Sequence, residues 1–255
     1  MGWQDRFSLK GRKALVTGAS KGIGAEICAV FAEAGADIVA LGRNETDLAA
    51  TAGAVRAHGR RCLTLTAEMA SPTEPVAASE RALAEWGTID ILVNSAGIAN
   101  VAPAVDFSTE DWDRMMAVNL RAPFLTARTL APAMIAQRWG KVINISSQTG
   151  VIALDDHAAY AASKGGLNAL TKSLCAEWAR QNVQVNAICP TVVMTPMGRQ
   201  VWGKPEKGDP FRNATPARRF AEPVEVADAA LYLASDASAM VNGALLMVEG
   251  GFTSV

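Results

Sequence analysis

Short, nearly continuous apolar runs alternate along the chain with longer stretches whose apolar positions recur every three or four residues. A run without a polar face reads as a strand buried on both sides. Helical stretches between such runs read as crossovers covering both faces of a parallel sheet. The pattern predicts strands at Lys13–Thr17, Asp37–Leu41, Cys62–Thr66, Ile89–Asn94, Gly140–Ser146, Val183–Ile188 and Ala244–Val248. It predicts helices near Gly22–Ala34, Glu45–His58, Glu74–Trp86, Thr109–Gln137, Ala158–Gln181 and Val224–Ala234. Ser108-Thr109-Glu110-Asp111 resembles a capping box, and Thr109–Gln137 reads as one long helix bent near Pro123 and Pro132. Prolines, glycines and mixed charge break the rhythm between Thr195 and Pro216. Residues 195–216 therefore read as an irregular connection that serves as a lid.

Composition narrows the class. The chain has 255 residues, half of them apolar, enough to bury the core of an α/β domain. No internal repeat or low-complexity linker divides it, so residues 1–255 read as a single domain. A net charge of −1 without a long basic run points away from nucleic acid and anionic membranes. No apolar run is long enough to span a bilayer, and the start lacks the apolar core of a signal peptide. Cys28, Cys62, Cys175 and Cys189 lie scattered in apolar segments without metal-ligand spacing, and His58 and His157 lie far from paired ligands. The expectation is a soluble cytoplasmic protein without a metal site.

Two features carry chemistry. Thr17-Gly18-Ala19-Ser20-Lys21-Gly22-Ile23-Gly24 follows the first strand and opens a helix. Glycines there permit a tight turn and close approach of a diphosphate, while the helix start offers free N–H groups and positive dipole. Gly18, Ser20, Lys21, Gly22, Ile23 and Gly24 are thus candidate cofactor residues. At the end of the second strand Gly42 stands where an acid would bind the adenosine ribose, and Arg43 follows. With Lys21 nearby, two cations favour NADP(H), with NAD(H) possible. The second feature is Tyr160 and Lys164, one helical turn apart on one face. A free phenol has a pKa near ~10, and a neighbouring ammonium, together with the charge of an oxidised nicotinamide, favours its phenolate, which suits it to proton transfer beside a reacting oxygen.

These residues, in order with Asn94-Ser95-Ala96-Gly97, Asn119, Ser147, Pro190 to Thr195 and Glu249-Gly250-Gly251, closely resemble the short-chain dehydrogenase/reductase family. The resemblance covers nearly the whole chain. It implies a seven-stranded parallel Rossmann sheet with helices on both faces, and a catalytic tetrad of Asn119, Ser147, Tyr160 and Lys164. In that scheme Ser147 donates to the substrate oxygen, Lys164 also holds the nicotinamide ribose, and Asn119 fixes a water leading to Lys164. The family likeness also places Asn94, Ala96 and Gly97 along the cofactor, and Pro190, Val193 and Thr195 at its nicotinamide end. Three positions depart from the family pattern. Ser95 replaces an Asn, Glu68 stands for the usual Asp at the adenine, and Thr191 replaces a Gly beside the nicotinamide.

Substrate contacts are expected from Ser147, Thr149, His157, Tyr160 and Thr191. Asn100, Gln148, Asp155 and Asp156 make the surrounding loops polar, which suits a polyol or sugar. Within the family the chain looks most like the polyol, sugar and sugar-acid dehydrogenases. Alternatives are reduction of 3-oxoacyl groups on acyl carrier protein, for which Arg138 fits a docking position but Gln181 does not. Reduction of small ketones or cyclic alcohols is another, and a non-catalytic nucleotide sensor a third. The apolar residues Leu167, Leu170, Leu174, Trp178, Leu245, Leu246, Val248 and Phe252 exceed what one sheet face needs. By family likeness they suggest a homotetramer.

Overall fold

The computed structural model describes residues 2–255. Seven strands, β1 (Lys13–Thr17), β2 (Asp37–Gly42), β3 (Cys62–Thr66), β4 (Ile91–Asn94), β5 (Gly140–Ile145), β6 (Val183–Pro190) and β7 (Leu245–Val248), form one sheet. All neighbours pair in parallel, in the order β3-β2-β1-β4-β5-β6-β7. The expected strand bounds hold to within two residues. Helices are α1 (Trp3–Phe7), α2 (Gly22–Glu33), α3 (Glu45–Ala57), α4 (Glu74–Trp86), α5 (Thr109–Met116), α6 (Ala122–Gln137), α7 (Ala158–Trp178), α8 (Pro196–Trp202), α9 (Pro205–Ala214) and α10 (Pro223–Ala234).

Two-residue periodicity sorts the strand side chains into two cores. Ala14, Val16, Ile38, Ala40, Ile91, Val93, Ile143 and Ile145 face α2 and α10, where Ile27, Phe31, Val226 and Leu233 meet them. Leu15, Val39, Leu41, Leu92, Val142 and Val185 face α4, α6 and α7, with Ala82, Leu130, Met134 and Leu174. Leu167 and Leu174 are buried in the protomer, so these two are core residues and not surplus apolar surface. Chain order reverses between β1 and β4, and a crevice opens outside their carboxyl ends, the usual ligand position of such sheets.

Three local expectations change. The Thr109–Gln137 segment changes winding at Ala117–Arg121, a π turn in which the Ala122 N–H reaches back to the Ala117 carbonyl. Pro123 has no N–H to offer the Asn119 carbonyl four residues back, so an α-helical register cannot continue unbroken there. Pro132 instead lies within α6. Ser108 caps α5 by accepting from the Asp111 N–H at 3.0 Å, but its hydroxyl also donates to the Asp111 carboxylate at 2.9 Å. The reciprocal half of the capping box is therefore replaced by a side-chain contact. Residues 195–216 are not irregular: each of α8 and α9 begins on a proline, and Thr195 caps α8 by accepting from the Gly198 N–H at 3.0 Å.

A buried polar node joins β4, β5 and α6 beneath the crevice. Asn94 Nδ2 donates to Asn144 Oδ1 at 2.9 Å, and its Oδ1 accepts from the Thr126 hydroxyl at 2.8 Å. Asn144 in turn donates to Thr171 on α7 at 2.9 Å. Asn94, expected along the cofactor, is 2 % exposed and spent within this node. Asn94→Ala leaves Asn144 Oδ1 buried without its donor and costs about 2 kcal/mol of stability, read by chemical denaturation. A variant of wild-type stability with impaired cofactor affinity would return Asn94 to the cofactor site.

Candidate active site

The glycine turn after β1 is pressed against the loop after β4. Thr17 Oγ1 accepts from the Ser95 and Ala96 N–H groups, both at 3.1 Å. A Cβ at Gly18 would lie 2.8 Å from the Ala96 backbone, and one at Gly24 would lie 2.3 Å from the Gly18 carbonyl oxygen. Gly22 has φ +62° and faces the Thr195 side chain. The Thr51 hydroxyl holds the Ala19 carbonyl at 2.8 Å. The result is a rigid backbone cradle at the start of α2, whose unpaired N–H groups fit a diphosphate.

Beside this cradle lies a cavity of about 660 Å³ lined by Gly18, Ser20, Lys21, Gly22, Ile23, Gly24, Arg43, Glu68, Ala96, Gly97 and Thr195. All of these were expected at the cofactor. Arg114 from α5 joins them unannounced, since on its helix it reads as an ordinary surface position. Glu68 does more than border an adenine site. Its Oε2 accepts from Arg43 at 3.4 Å and its Oε1 from the Ala70 N–H at 3.0 Å. Burial raises its carboxyl, but the Ala70 amide and Arg43, with Arg114 adding to them, hold it below its ordinary value. The reading of two cations without a carboxylate is thus corrected: one of the two already has an acidic partner. Gly42 has a steric role as well, because a Cβ there would stand 2.2 Å from the Ser20 hydroxyl oxygen.

A second cavity of about 480 Å³ shares Ile23, Ser95, Gly97, Ile98 and Thr195 with the first, so the two form one continuous cleft. Its walls carry Ser147, Tyr160, Lys164, Pro190, Thr191, Val193 and His157, together with Asp155, Asp156, Trp202 and Lys207. Trp202 and Lys207 come from α8 and α9, the segment whose helices the sequence pattern does not reveal. The Thr191 hydroxyl oxygen is buried without a hydrogen-bond partner among the described residues. His157 sets its ring edge-on to Tyr160, centroids 6.2 Å apart.

Tyr160 and Lys164 lie on the first turns of α7, as their spacing predicts. Lys164 is 4 % exposed; its Nζ donates to the Ile145 carbonyl at 2.8 Å and lies 5.7 Å from the centre of the Tyr160 ring. Burial lowers its pKa to about 8, against a smaller opposite pull from Cys189. The Tyr160 phenol is shifted the other way by the protein alone. Burial raises its phenol above the ordinary value, and the Ser147 hydroxyl only partly opposes this. Lys164 directs its ammonium at the strand carbonyl of Ile145, so in the protein alone the phenol stays above its ordinary value.

Asn119, fully buried in the π turn, uses its whole carboxamide. Oδ1 accepts from the Ile98 N–H at 2.9 Å, and Nδ2 donates to the Ile98 carbonyl at 2.9 Å and to Ser163 Oγ at 3.1 Å. Its side chain therefore clamps the β4 loop, and Pro123 denies its main-chain carbonyl an α-helical donor. Thr149 does not line the cleft. It is buried, and its hydroxyl donates to Ser147 Oγ at 2.8 Å.

The comparisons with known proteins agree with this geometry. The family described as Enoyl-(Acyl carrier protein) reductase matches residues 18–253. D-threitol dehydrogenase of Mycolicibacterium smegmatis is 45% identical over 252 residues, spanning 97% of this chain and 95% of that protein. NAD-dependent glycerol dehydrogenase of Listeria innocua is 39% identical, spanning 99% of this chain and 98% of its own. A gluconate 5-dehydrogenase from Burkholderia cenocepacia J2315, solved in complex with NADP and tartrate, superimposes with a TM-score of 0.95 at 41% identity, all of both chains being covered. With the glycine cradle, the Ser147–Tyr160–Lys164 wall and similarity along nearly its full length, the chain belongs to the short-chain dehydrogenase/reductase family.

Proposed function

We propose that this protein is an NAD(P)-dependent oxidoreductase that interconverts a secondary alcohol and a ketone on a polyol, sugar or sugar acid, favouring NADP(H) and accepting NAD(H). The observation that carries this reading is the continuity of the cleft: a nucleotide-sized cradle opens directly onto Ser147, Tyr160 and Lys164. A bound nicotinamide nucleotide supplies or accepts the hydride. The protein's own residues handle the proton and orient the substrate. In oxidation Ser147 donates to the substrate oxygen and the Tyr160 phenolate accepts the hydroxyl proton; in reduction Tyr160 is the acid. Lys164, 5.7 Å from the centre of the Tyr160 ring, would hold the nicotinamide ribose. The Asn119 carbonyl supports a water through which protons pass between Lys164 and solvent. Asp155, Asp156, His157, Thr191 and Lys207 furnish polar partners for a substrate rich in oxygen, while Val201 and Trp202 let α8 and α9 (within residues 195–216) act as the lid. The similarity to two polyol dehydrogenases and a gluconate dehydrogenase supports the same substrate class.

The reading extends to assembly and location. A groove lined by Met116, Leu120, Phe124 and Leu170 leaves apolar surface exposed along α5, α6 and α7, which supports a homotetramer. All four cysteines are free thiols, and among the described residues no helix is long and apolar enough to cross a membrane; both facts fit the cytoplasm.

Three experiments test the function. Absorbance assays with both cofactors over polyols, sugars, sugar acids, small ketones and β-keto thioesters give turnover on a polyhydroxylated substrate, and Tyr160→Phe lowers that turnover by about 10³-fold with cofactor affinity intact. Turnover confined to thioesters would instead favour the acyl-carrier reading. Oxidation needs the phenolate, and burial keeps the Tyr160 phenol above its ordinary value. Its kcat/KM therefore climbs with pH between about pH 7 and 9, whereas reduction, which needs the phenol, holds level over the same range. A fall in oxidation over that range contradicts the assignment. Finally, Arg43→Ala weakens NADP binding about tenfold and leaves NAD within about twofold, measured by calorimetric titration; equal losses for both would remove Arg43 from recognition of the 2′-phosphate.

A further inference from the structure

Ser147 Oγ has two lone pairs and one proton. Thr149 occupies both lone pairs: its N–H donates at 3.2 Å and its hydroxyl at 2.8 Å. The only hydrogen-bonding capacity left to Ser147 is its own proton. We propose that Thr149 is a positioning residue that makes Ser147 an obligate donor, so that an alcohol held by Ser147 cannot point its hydroxyl proton back at Ser147 and presents it to Tyr160.

The physical need is clear when the alternative is drawn. A serine with a free lone pair and an alcohol can pair either way round, each as donor or acceptor. In the wrong polarity the alcohol proton points at Ser147, and Tyr160 has nothing to accept. Saturating Ser147 from behind removes that state and aims its proton at the substrate oxygen, where charge develops during oxidation. Chained hydroxyl bonds polarise one another, which strengthens the final donor.

The surroundings hold Thr149 in place. Gln148–Gly150 is one 3₁₀ turn, closed by the Gly150 N–H on the Ser147 carbonyl at 3.0 Å. A Cβ at Gly150 would lie 3.0 Å from the Lys164 backbone and 2.6 Å from the Asn168 side-chain nitrogen, so the turn is packed directly on α7, the helix that carries Tyr160. Thr149 is 5 % exposed and absent from the cleft wall, which leaves Ser147 as the group it acts through. In the empty site that one proton favours the Tyr160 phenolate against burial, and it passes to the substrate oxygen when an alcohol binds.

The proposal rests on the alcohol–ketone reaction proposed above. Its test compares Thr149→Val, which keeps the shape and loses the hydroxyl, with Thr149→Ser, which keeps the hydroxyl. Thr149→Ala stands in if valine disturbs the fold by circular dichroism and thermal melting. On the best alcohol of the substrate panel, the variant without the hydroxyl loses about tenfold in kcat with the cofactor KM unchanged. The rising limb of kcat/KM against pH moves to higher pH, because the phenolate loses an aimed donor. Thr149→Ser restores both. The other titrating groups around Tyr160, namely Lys164, His157, Asp155, Asp156 and Lys207, are the same in every variant and cannot produce a difference among them. An unchanged kcat and pH limb in a folded variant without the hydroxyl overturns the role of Thr149 alone, as does a serine variant as impaired as the valine one. A wild-type enzyme that oxidises no alcohol overturns the proposed reaction and this role together.

Discussion

Thr17 holds the cleft together. It ends β1, and its single hydroxyl oxygen receives two backbone N–H groups from the loop after β4, so the loops that leave the neighbouring strands β1 and β4 are sewn together where they part. The seam works only because Gly18 brings no Cβ into the Ala96 backbone. Loops on an open sheet edge are ordinarily the mobile part of such a fold. Here the nucleotide cradle and the floor of the reaction cavity share a backbone contact, and every later distance in the site is referred to it.

Burial sets the chemistry built on that seam. An ammonium and a phenol are both driven towards their neutral forms by removal from water, Lys164 downward to about 8 and Tyr160 upward. The protein gives back part of the lost solvation through fixed dipoles: the Ile145 carbonyl for Lys164 and the Ser147 hydroxyl for Tyr160. What it does not give back is a full positive charge facing the phenol. In the proposed reaction, an oxidised nicotinamide would supply that charge and so tie the base to the redox state of its co-reactant.

Much of this was legible before any coordinates. Buried parallel strands write themselves as apolar runs, and a tyrosine four residues before a lysine shares its helix face wherever the helix sits. The failures share a cause. The family likeness puts Asn94 at the cofactor, but its partner Asn144 lies fifty residues away and only the β4–β5 pairing brings them together. Thr149 has the chemistry of a substrate contact, and only the direction of a 3₁₀ turn aims it backwards. The helices α8 and α9 are short, and their prolines, which open helices as readily as they break them, read as loop. Arg114 and Lys207 look like solvated cations until the switch point and the 195–216 segment carry them to the cleft.

The Arg43–Glu68 pair gives the nucleotide cleft a resident anion. Both side chains are well exposed, so the bond between them is worth on the order of 1 kcal/mol or less. That is enough to hold the guanidinium extended over the cleft and too little to keep it from a better partner. Under the proposed function, an arriving 2′-phosphate would meet an arm already deployed and displace a weaker occupant, whereas a plain ribose would leave the original couple undisturbed. Selectivity between the two dinucleotides is then a difference between two small exchanges, graded rather than absolute, and responsive to ionic strength.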